Sequence, residues 1–382
     1  MSTPPIPSSL SLAAFDQRAR SGERLSIVFF GGSLTWGAQA TDPQHTSYRA
    51  RMGRKFEETY PLAHFRFWDA AIGGTGSQLG AFRLERDVLA RKPDLVFLEF
   101  TLNDTPYSAD DLDRLASYES LVRRLVGQGI PVVQVILAVK KDMLPTPPPR
   151  PLDEKHREIA RAYNLPSADA VSLMRERVLA GQADPNVLWP MSPDETHPGD
   201  EGYALYAEAA WKGYEEGVRS GMVCRLSKGM IHTETYMTVN RQKVSALSPL
   251  PAGWKVGRPN RSASAFDFVM SRWFEDETIA GFGGETGKAP DPLRLKIRGK
   301  TVHLFGEMTP SSGKYEVRID GGEPTVHNAN AKGGNMRLVQ LIAQFEKTGE
   351  EHRIEIVPIL EAGEELRLES ICVAGAPAEV SL

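Results

Sequence analysis

The first half of the chain alternates short apolar runs with longer amphipathic stretches, from about residue 24 to residue 219. Strands separated by helical stretches are typical of βαβ units, which bring parallel strands into one sheet. The run Val132–Leu137 is almost wholly apolar, as expected for a strand covered on both faces. We therefore predict a three-layer α/β domain. The predicted strands are Ser26–Phe30, Phe65–Asp69, Leu95–Glu99 and Val132–Val139, and the predicted helices are 46–59, 77–91, 110–128, 152–163 and 200–217.

The second half changes to a period of two. Apolar and polar residues alternate in Leu293–Ile297 and in Tyr315–Ile319, and the turn residues Asp320, Gly321 and Gly322 follow the second of these runs. Similar alternation returns at 352–358 and 366–373. Short alternating strands with turn residues between them predict an antiparallel β-sandwich. We therefore predict two domains, 1–222 and 223–382.

Composition and charge narrow the set of partners. The chain has 382 residues and a formal net charge of −4, which argues against nucleic acid or an anionic membrane as a partner. No apolar run approaches the roughly 18 residues of a membrane span, and the N-terminus lacks a signal-peptide pattern. Cys224 and Cys372 are too few for a disulfide scaffold and lack zinc-ligand spacing. These features favour a cytoplasmic protein and leave a homo-oligomer open.

A serine follows the first predicted strand directly, in the stretch Gly31-Gly32-Ser33-Leu34-Thr35. The stretch lacks the Gly-Lys-Ser/Thr of a P-loop, the Gly-x-Gly-x-x-Gly of a dinucleotide fold and the Gly-x-Ser-x-Gly of α/β-hydrolases. Ligands of open α/β sheets bind at the carboxyl ends of strands, which is where this serine lies. Taken alone, the stretch fits a helix-capping turn as well as it fits a nucleophile.

Three further segments have the same ambiguity when each is considered alone. Ile72-Gly73-Gly74-Thr75 follows the second strand, Asn103-Asp104 follows the third, and Asp194 stands three residues before His197 ahead of the last helix. Each has a structural interpretation as a flexible turn or a loop-shaping side chain. Each also has a chemical one, because an amide can face developing negative charge and an aspartate can orient an imidazole. The topology predicts that all of them meet at one edge of the sheet.

Together and in this order, the four blocks resemble the SGNH hydrolase superfamily, the serine esterases also called GDSL-like. The resemblance covers roughly residues 24–217 and implies a flavodoxin-like α/β/α domain. Two positions depart from the family pattern. Gly32 stands where the Gly-Asp-Ser-Leu form has Asp, and Thr101 stands where the third block often has Gly. Neither position supplies a reacting group.

The resemblance implies a role for each motif residue. Ser33 is the expected nucleophile, His197 the general base and Asp194 its orienting partner. The expected oxyanion hole consists of the backbone N–H groups of Ser33 and Gly74 and the side-chain amide of Asn103. Asp104 is expected to brace its loop, and no metal or cofactor is implied.

The substrate is less constrained, because the family includes lipases, thioesterases, lysophospholipases and carbohydrate esterases. No strongly apolar lid is visible, and the predicted sandwich is similar to the jelly-roll-like domains appended to several SGNH carbohydrate esterases, where they bind sugar or shape the site. We therefore predict hydrolysis of an O-acetyl ester on a carbohydrate. The alternatives are a lysophospholipase or thioesterase and, from another class, a non-catalytic glycan-binding protein. Trp36 and His45 are candidates for the substrate pocket, although Trp36 fits core packing equally well.

Overall fold

A computed structural model describes residues 8–259, 274–281, 288–332 and 336–382. The chain forms two compact units, Met1–Thr233 and Glu234–Leu382. The division thus falls eleven residues after the boundary drawn from the sequence. The intervening segment belongs to the first unit because the N–H of Cys224 donates to Leu10 O and the N–H of Arg225 donates to Tyr163 O.

The first unit contains a parallel sheet in the order β2-β1-β3-β4-β5. This is the flavodoxin-like order, and the parallel α/β domain predicted from the sequence is confirmed. The order reverses between β1 and β3, so the crevice at their carboxyl ends is the switch point where such sheets bind ligands. The strands are β1 (Arg24–Gly31), β2 (His64–Ala71), β3 (Leu95–Leu98), β4 (Val132–Ile136) and β5 (Ser167–Asp169).

Helices connect these strands, and several begin at a polar cap. Ser47 caps α3 by accepting from the Ala50 N–H, and Asp111 caps α5 by accepting from the Arg114 N–H. Such caps satisfy backbone donors that have no partner within the helix. The helices are α1 (Leu12–Arg20), α2 (Ser33–Trp36), α3 (Tyr48–Thr59), α4 (Ser77–Asp87), α5 (Leu112–Gly127), α6 (Pro151–Ala162), α7 (Ala170–Leu179), α8 (Pro185–Leu188) and α9 (Asp200–Arg219).

The second unit consists of two antiparallel sheets. Its described strands are β6 (Val239–Lys243), β7 (Trp254–Gly257), β8 (Glu277–Gly281), β9 (Leu293–Arg298), β10 (Thr301–Met308), β11 (Lys314–Ile319), β12 (Thr325–Asn328), β13 (Met336–Gln344), β14 (Glu351–Ile359), β15 (Glu365–Ala374) and β16 (Glu379–Ser381).

Strands β8 to β15 are ordered β8-β15-β10-β13 in one sheet and β9-β14-β11-β12 in the other. This interleaving is that of a jelly roll, so the predicted sandwich is confirmed. The apolar face of each sheet contributes to one shared core, which includes Leu295, Leu304, Tyr315 and Leu368. Strand β9 is the plainest case, since its buried and exposed residues alternate without interruption.

Two further observations concern the whole of the described chain. Within those residues, no helix combines the length and apolar character needed to cross a bilayer. Cys224 and Cys372 are both buried and free. Burial raises the pKa of the Cys224 thiol to about 11, which disfavours its thiolate.

Candidate active site

The turn after β1 presents Ser33 as the first residue of the short helix α2. Gly32 lies so close to the third block that a Cβ added to it would stand 2.0 Å from Asn103 Oδ1. In this chain a side chain at position 32 therefore conflicts with the position of Asn103. This contact gives a physical reason for the first departure from the family pattern.

Three polar side chains form a continuous hydrogen-bonded array. Ser33 Oγ lies 2.8 Å from His197 Nε2, and His197 Nδ1 lies 2.8 Å from Asp194 Oδ2. A carboxylate at Nδ1 fixes the neutral imidazole with its proton on Nδ1, so Nε2 is left free to accept the serine proton. Ser33 and His197 are 164 positions apart, and the fold brings them into contact as the four blocks predicted.

The loop before α9 holds Asp194 in its orientation. Its Oδ1 accepts hydrogen bonds from the backbone N–H groups of Thr196 at 2.9 Å and His197 at 3.1 Å, which leaves Oδ2 for the imidazole. Burial alone would raise the pKa of this carboxyl, but the backbone and ring N–H groups of His197 outweigh burial and lower the pKa. The lowered pKa favours the ionised form of Asp194 beside the imidazole of His197.

Gln39 also contacts this array and was not predicted from the sequence. Its Nε2 lies 3.4 Å from Asp194 Oδ2, and its backbone adopts the left-handed φ of 68°. A non-glycine residue in that region carries backbone strain, which often marks a functional site. The local signal is weak because Gln39 follows the serine turn in a loop with no recognisable motif.

The second and third blocks lie against the serine turn. A Cβ added to Gly73 would lie 3.5 Å from Ser33 Cβ, and Gly74 has the left-handed φ of 62° that favours glycine. Asn103 packs against Gly32 on the other side. The second block thus lies beside Ser33 and Asn103 lies beside Gly32, and the role of Gly74 and Asn103 as oxyanion donors stays a prediction.

The two pocket candidates occupy different environments. The Trp36 residue is 7% exposed and belongs to the buried core, which agrees with the packing alternative. The side chain of His45 is 72% exposed and its Nδ1 lies 2.7 Å from Asp42 Oδ2. His45 lines an open cleft of about 320 Å³ together with Arg49. Their participation in a substrate pocket stays a prediction.

Two carboxyl groups are buried beneath the site. Burial raises the pKa of Glu99 to about 7, even though the nearby N–H groups of Gly32 and Leu102 oppose the shift. Burial likewise raises the pKa of Asp104 to about 7. Asp104 Oδ1 accepts the Ser77 N–H at 2.8 Å and thereby caps α4, which supports the bracing role predicted for it.

The free energy of unfolding should depend on pH because the pKa of Asp104 is raised in the folded protein. Its ordinary pKa is near 4, so between pH 4 and pH 7 the folded state holds a proton that the unfolded state releases. The wild type should thus lose stability across that interval. Relative to the wild type, Asp104→Asn should gain on the order of 3 kcal/mol in free energy of unfolding as pH rises from 4 to 7. Urea unfolding at a series of pH values measures this slope.

Glu119 provides the matched control, because its pKa is shifted in the direction opposite to that of Asp104. It is buried, yet hydrogen bonds from His232 and the Ile231 N–H outweigh burial and lower its pKa. The stabilisation from its ionised form is present above its ordinary pKa and is lost as pH falls through the lowered value. The loss in free energy of unfolding that Glu119→Gln causes relative to the wild type should therefore become smaller as the pH falls. If the difference in unfolding free energy from the wild type changed with pH in the same direction for both variants, the raised pKa of Asp104 would be contradicted.

Within the part of the chain that the structure describes, no group of three or more His, Cys, Asp or Glu side chains is arranged to hold a metal ion.

A hydrogen-bonded Ser–His–Asp array at the carboxyl edge of a parallel sheet is the arrangement of serine hydrolases. The model of the GDSL-like Lipase/Acylhydrolase family matches residues 29–205, which hold all four blocks. The match covers most of the α/β unit, agrees with the SGNH (GDSL-like) resemblance of the four blocks and supports a carboxylic ester hydrolase of this type.

Individual proteins similar to this chain include esterases with known names. An acetylxylan esterase of Geobacillus stearothermophilus is 25% identical over 204 residues, which span 50% of this chain and 92% of that protein. A two-domain esterase active on acetylated mannans, co-crystallised with mannopentaose, is 24% identical and has a TM-score of 0.77. The match covers 96% of this chain and 94% of that one. At this identity the likeness establishes the two-unit fold.

Proposed function

We propose that this protein hydrolyses O-acetyl esters of a carbohydrate, with Ser33 as nucleophile, His197 as general base and Asp194 as its orienting partner. The hydrogen-bonded array from Ser33 Oγ through the imidazole to Asp194 Oδ2 is the observation that carries the proposal. A serine hydroxyl is a weak nucleophile until an adjacent base removes its proton, and this array supplies that base.

The proposed reaction proceeds in two halves. Ser33 Oγ attacks the acetyl carbonyl carbon while His197 Nε2 takes the hydroxyl proton. The backbone N–H groups of Ser33 and Gly74 and the Asn103 amide then stabilise the tetrahedral oxyanion. Collapse breaks the ester bond, and the imidazolium gives its proton to the departing sugar oxygen. Water, activated by the same imidazole, then releases acetate from the acetyl-serine.

The similarity to the acetylxylan esterase supports an acetyl ester on a carbohydrate as the substrate class. The jelly-roll unit supports it further, because all-β domains of this architecture occur among lectins. We propose that this unit binds carbohydrate or shapes the entrance to the active site. The cytoplasmic location predicted from the sequence stays a prediction, as does the homo-oligomer.

An acyl-chain series tests the proposed substrate class. p-Nitrophenyl acetate should be hydrolysed with a higher kcat/KM than the butyrate, octanoate and palmitate esters. Acetate should also be released from acetylated mannan or acetylated xylan, and which of the two reacts faster identifies the acceptor. A preference for long acyl chains without acetate release would instead identify a lipase or thioesterase. Absence of any hydrolysis by the folded protein would favour the glycan-binding alternative.

A further inference from the structure

A buried guanidinium lies beneath the strand ends that lead to the candidate active site. Arg83 lies on α4, and its side chain is fully buried. Its Nη1 donates to Ala70 O at 2.5 Å, and its Nη2 donates to Gly31 O at 3.0 Å. Asp87 Oδ2 lies 3.4 Å from Nη1 and partly compensates the charge. One planar side chain thus joins the end of β2 to the end of β1.

The same guanidinium also contacts one aromatic ring of the first strand and one just after the third strand. Its carbon lies 4.5 Å from the ring centroid of Phe30 in β1 and 5.8 Å from that of Phe100, which follows β3. Both distances are within the range of a cation–π contact, and the two rings meet edge to face. Arg83 therefore touches the backbone or side chains at the ends of β1 and β2 and just after β3.

Each of these strand ends continues into a block of the candidate active site. Gly31 precedes Ser33 by two residues, Ala70 precedes Gly74 by four, and Phe100 precedes Asn103 by three. The nucleophile and the proposed oxyanion donors are thus anchored to one rigid group. This matters because an error of about 1 Å in the placement of reacting groups can cost about a hundredfold in rate.

We propose that Arg83 is a positioning residue, which fixes the spacing between the nucleophile Ser33 and the oxyanion donors Gly74 and Asn103. The proposal rests on the proposed function of those residues. A buried charge is costly to maintain for stability alone, because well-packed apolar residues often replace buried ion pairs without loss. The planar fork that reaches two carbonyls at once is the property that an apolar side chain cannot provide.

Arg83→Lys tests the proposal, since lysine keeps the charge but loses the planar fork. We expect kcat for p-nitrophenyl acetate to fall about 10- to 100-fold while KM changes less than about threefold. The rate of Ser33 labelling by a fluorophosphonate should fall in parallel. If Arg83 only stabilised the fold, its substitution would lower the melting temperature without this split between kcat and KM.

Arg124→Lys is the matched control. Arg124 is also largely buried and also joins a backbone carbonyl, Ala81 O at 2.9 Å, to an acidic side chain, Glu85 at 2.9 Å. Its contacts are with α4 and not with the strand ends, so kcat should stay within about twofold of the wild type. Equal kcat values for the Arg83 and Arg124 variants would overturn the proposal.

A second variant covers the case in which Arg83→Lys does not fold. Asp87→Asn leaves Arg83 in place but weakens its ionic anchor, and we expect kcat to fall several-fold with KM unchanged. An unchanged kcat in that variant would also overturn the proposal. If the wild type itself neither hydrolyses acetyl esters nor labels with fluorophosphonate, the proposed function fails instead, so the two failures are distinguishable.

Discussion

Replacing Ser33 with alanine is expected to lower kcat for acetate release by about a million-fold, to a rate near that left by binding alone. The reason is that no acetyl-enzyme can form without the Ser33 hydroxyl, while His197 and Asp194 keep each other in place through their own hydrogen bond of 2.8 Å. Labelling by a fluorophosphonate should disappear in the same variant. Acetate release and in-gel labelling of the 382-residue protein measure both effects.

Ser120→Ala provides the control for the loss of a buried hydroxyl. Ser120 is fully buried on α5, and its Oγ donates to Ser117 O at 2.7 Å. Its removal should cost only stability, about 1 kcal/mol for one hydrogen bond, with kcat and labelling retained. A Ser33→Ala protein that still labels and still releases acetate would refute the assignment of the nucleophile.

Strands were predictable from the sequence where buried and exposed residues alternate along them. Strand β9 alternates between buried and exposed residues, so its period of two is visible in the sequence. Strand β10 is buried on both faces along nearly its whole length, which removes the alternation, so this strand was not predicted. Strand β5 was missed for another reason, because three residues are too few to show any period.

The candidate site was predictable to the extent that its residues occupy recognisable blocks. Ser33, Gly74, Asn103, Asp194 and His197 all follow strand ends or stand in a proline- and glycine-rich loop. The supporting residues were not predictable in this way. Arg83 resembles any arginine on an amphipathic helix, and Gln39 contacts Asp194 across 155 positions of sequence. Their roles arise from tertiary contacts that no local pattern encodes.

The chain contains a second pair with the same local pattern as the proposed catalytic one. Asp42 and His45 are also three residues apart, and their Nδ1–Oδ2 distance is 2.7 Å, against 2.8 Å for His197 and Asp194. The side chain of His45 is 72% exposed, whereas that of His197 is 23% exposed and its Nε2 contacts Ser33. The Asp-x-x-His spacing therefore specifies a local pairing, and only the position at the sheet edge gives it a hydroxyl to activate.

Asp194→Asn should consequently lower kcat by about ten-thousand-fold while leaving the fold intact. The carbonyl oxygen of the new amide should occupy the Oδ1 position, because the N–H groups of Thr196 and His197 donate there. The amide NH₂ then faces Nδ1 of His197 and donates to it, so the neutral imidazole carries its proton on Nε2. An Nε2–H group cannot accept the Ser33 proton, and the nucleophile is not activated.

Asp42→Asn makes the same chemical change in the exposed pair and should leave kcat within about twofold of the wild type. Steady-state kinetics with p-nitrophenyl acetate compares the two variants, and circular dichroism verifies that both are folded. Because an asparagine at position 194 affects the tautomer and not the substrate contacts, KM should stay nearly constant while kcat falls. A loss of less than tenfold in kcat for Asp194→Asn would mean that another group orients His197. Gln39 would then be the next residue to mutate.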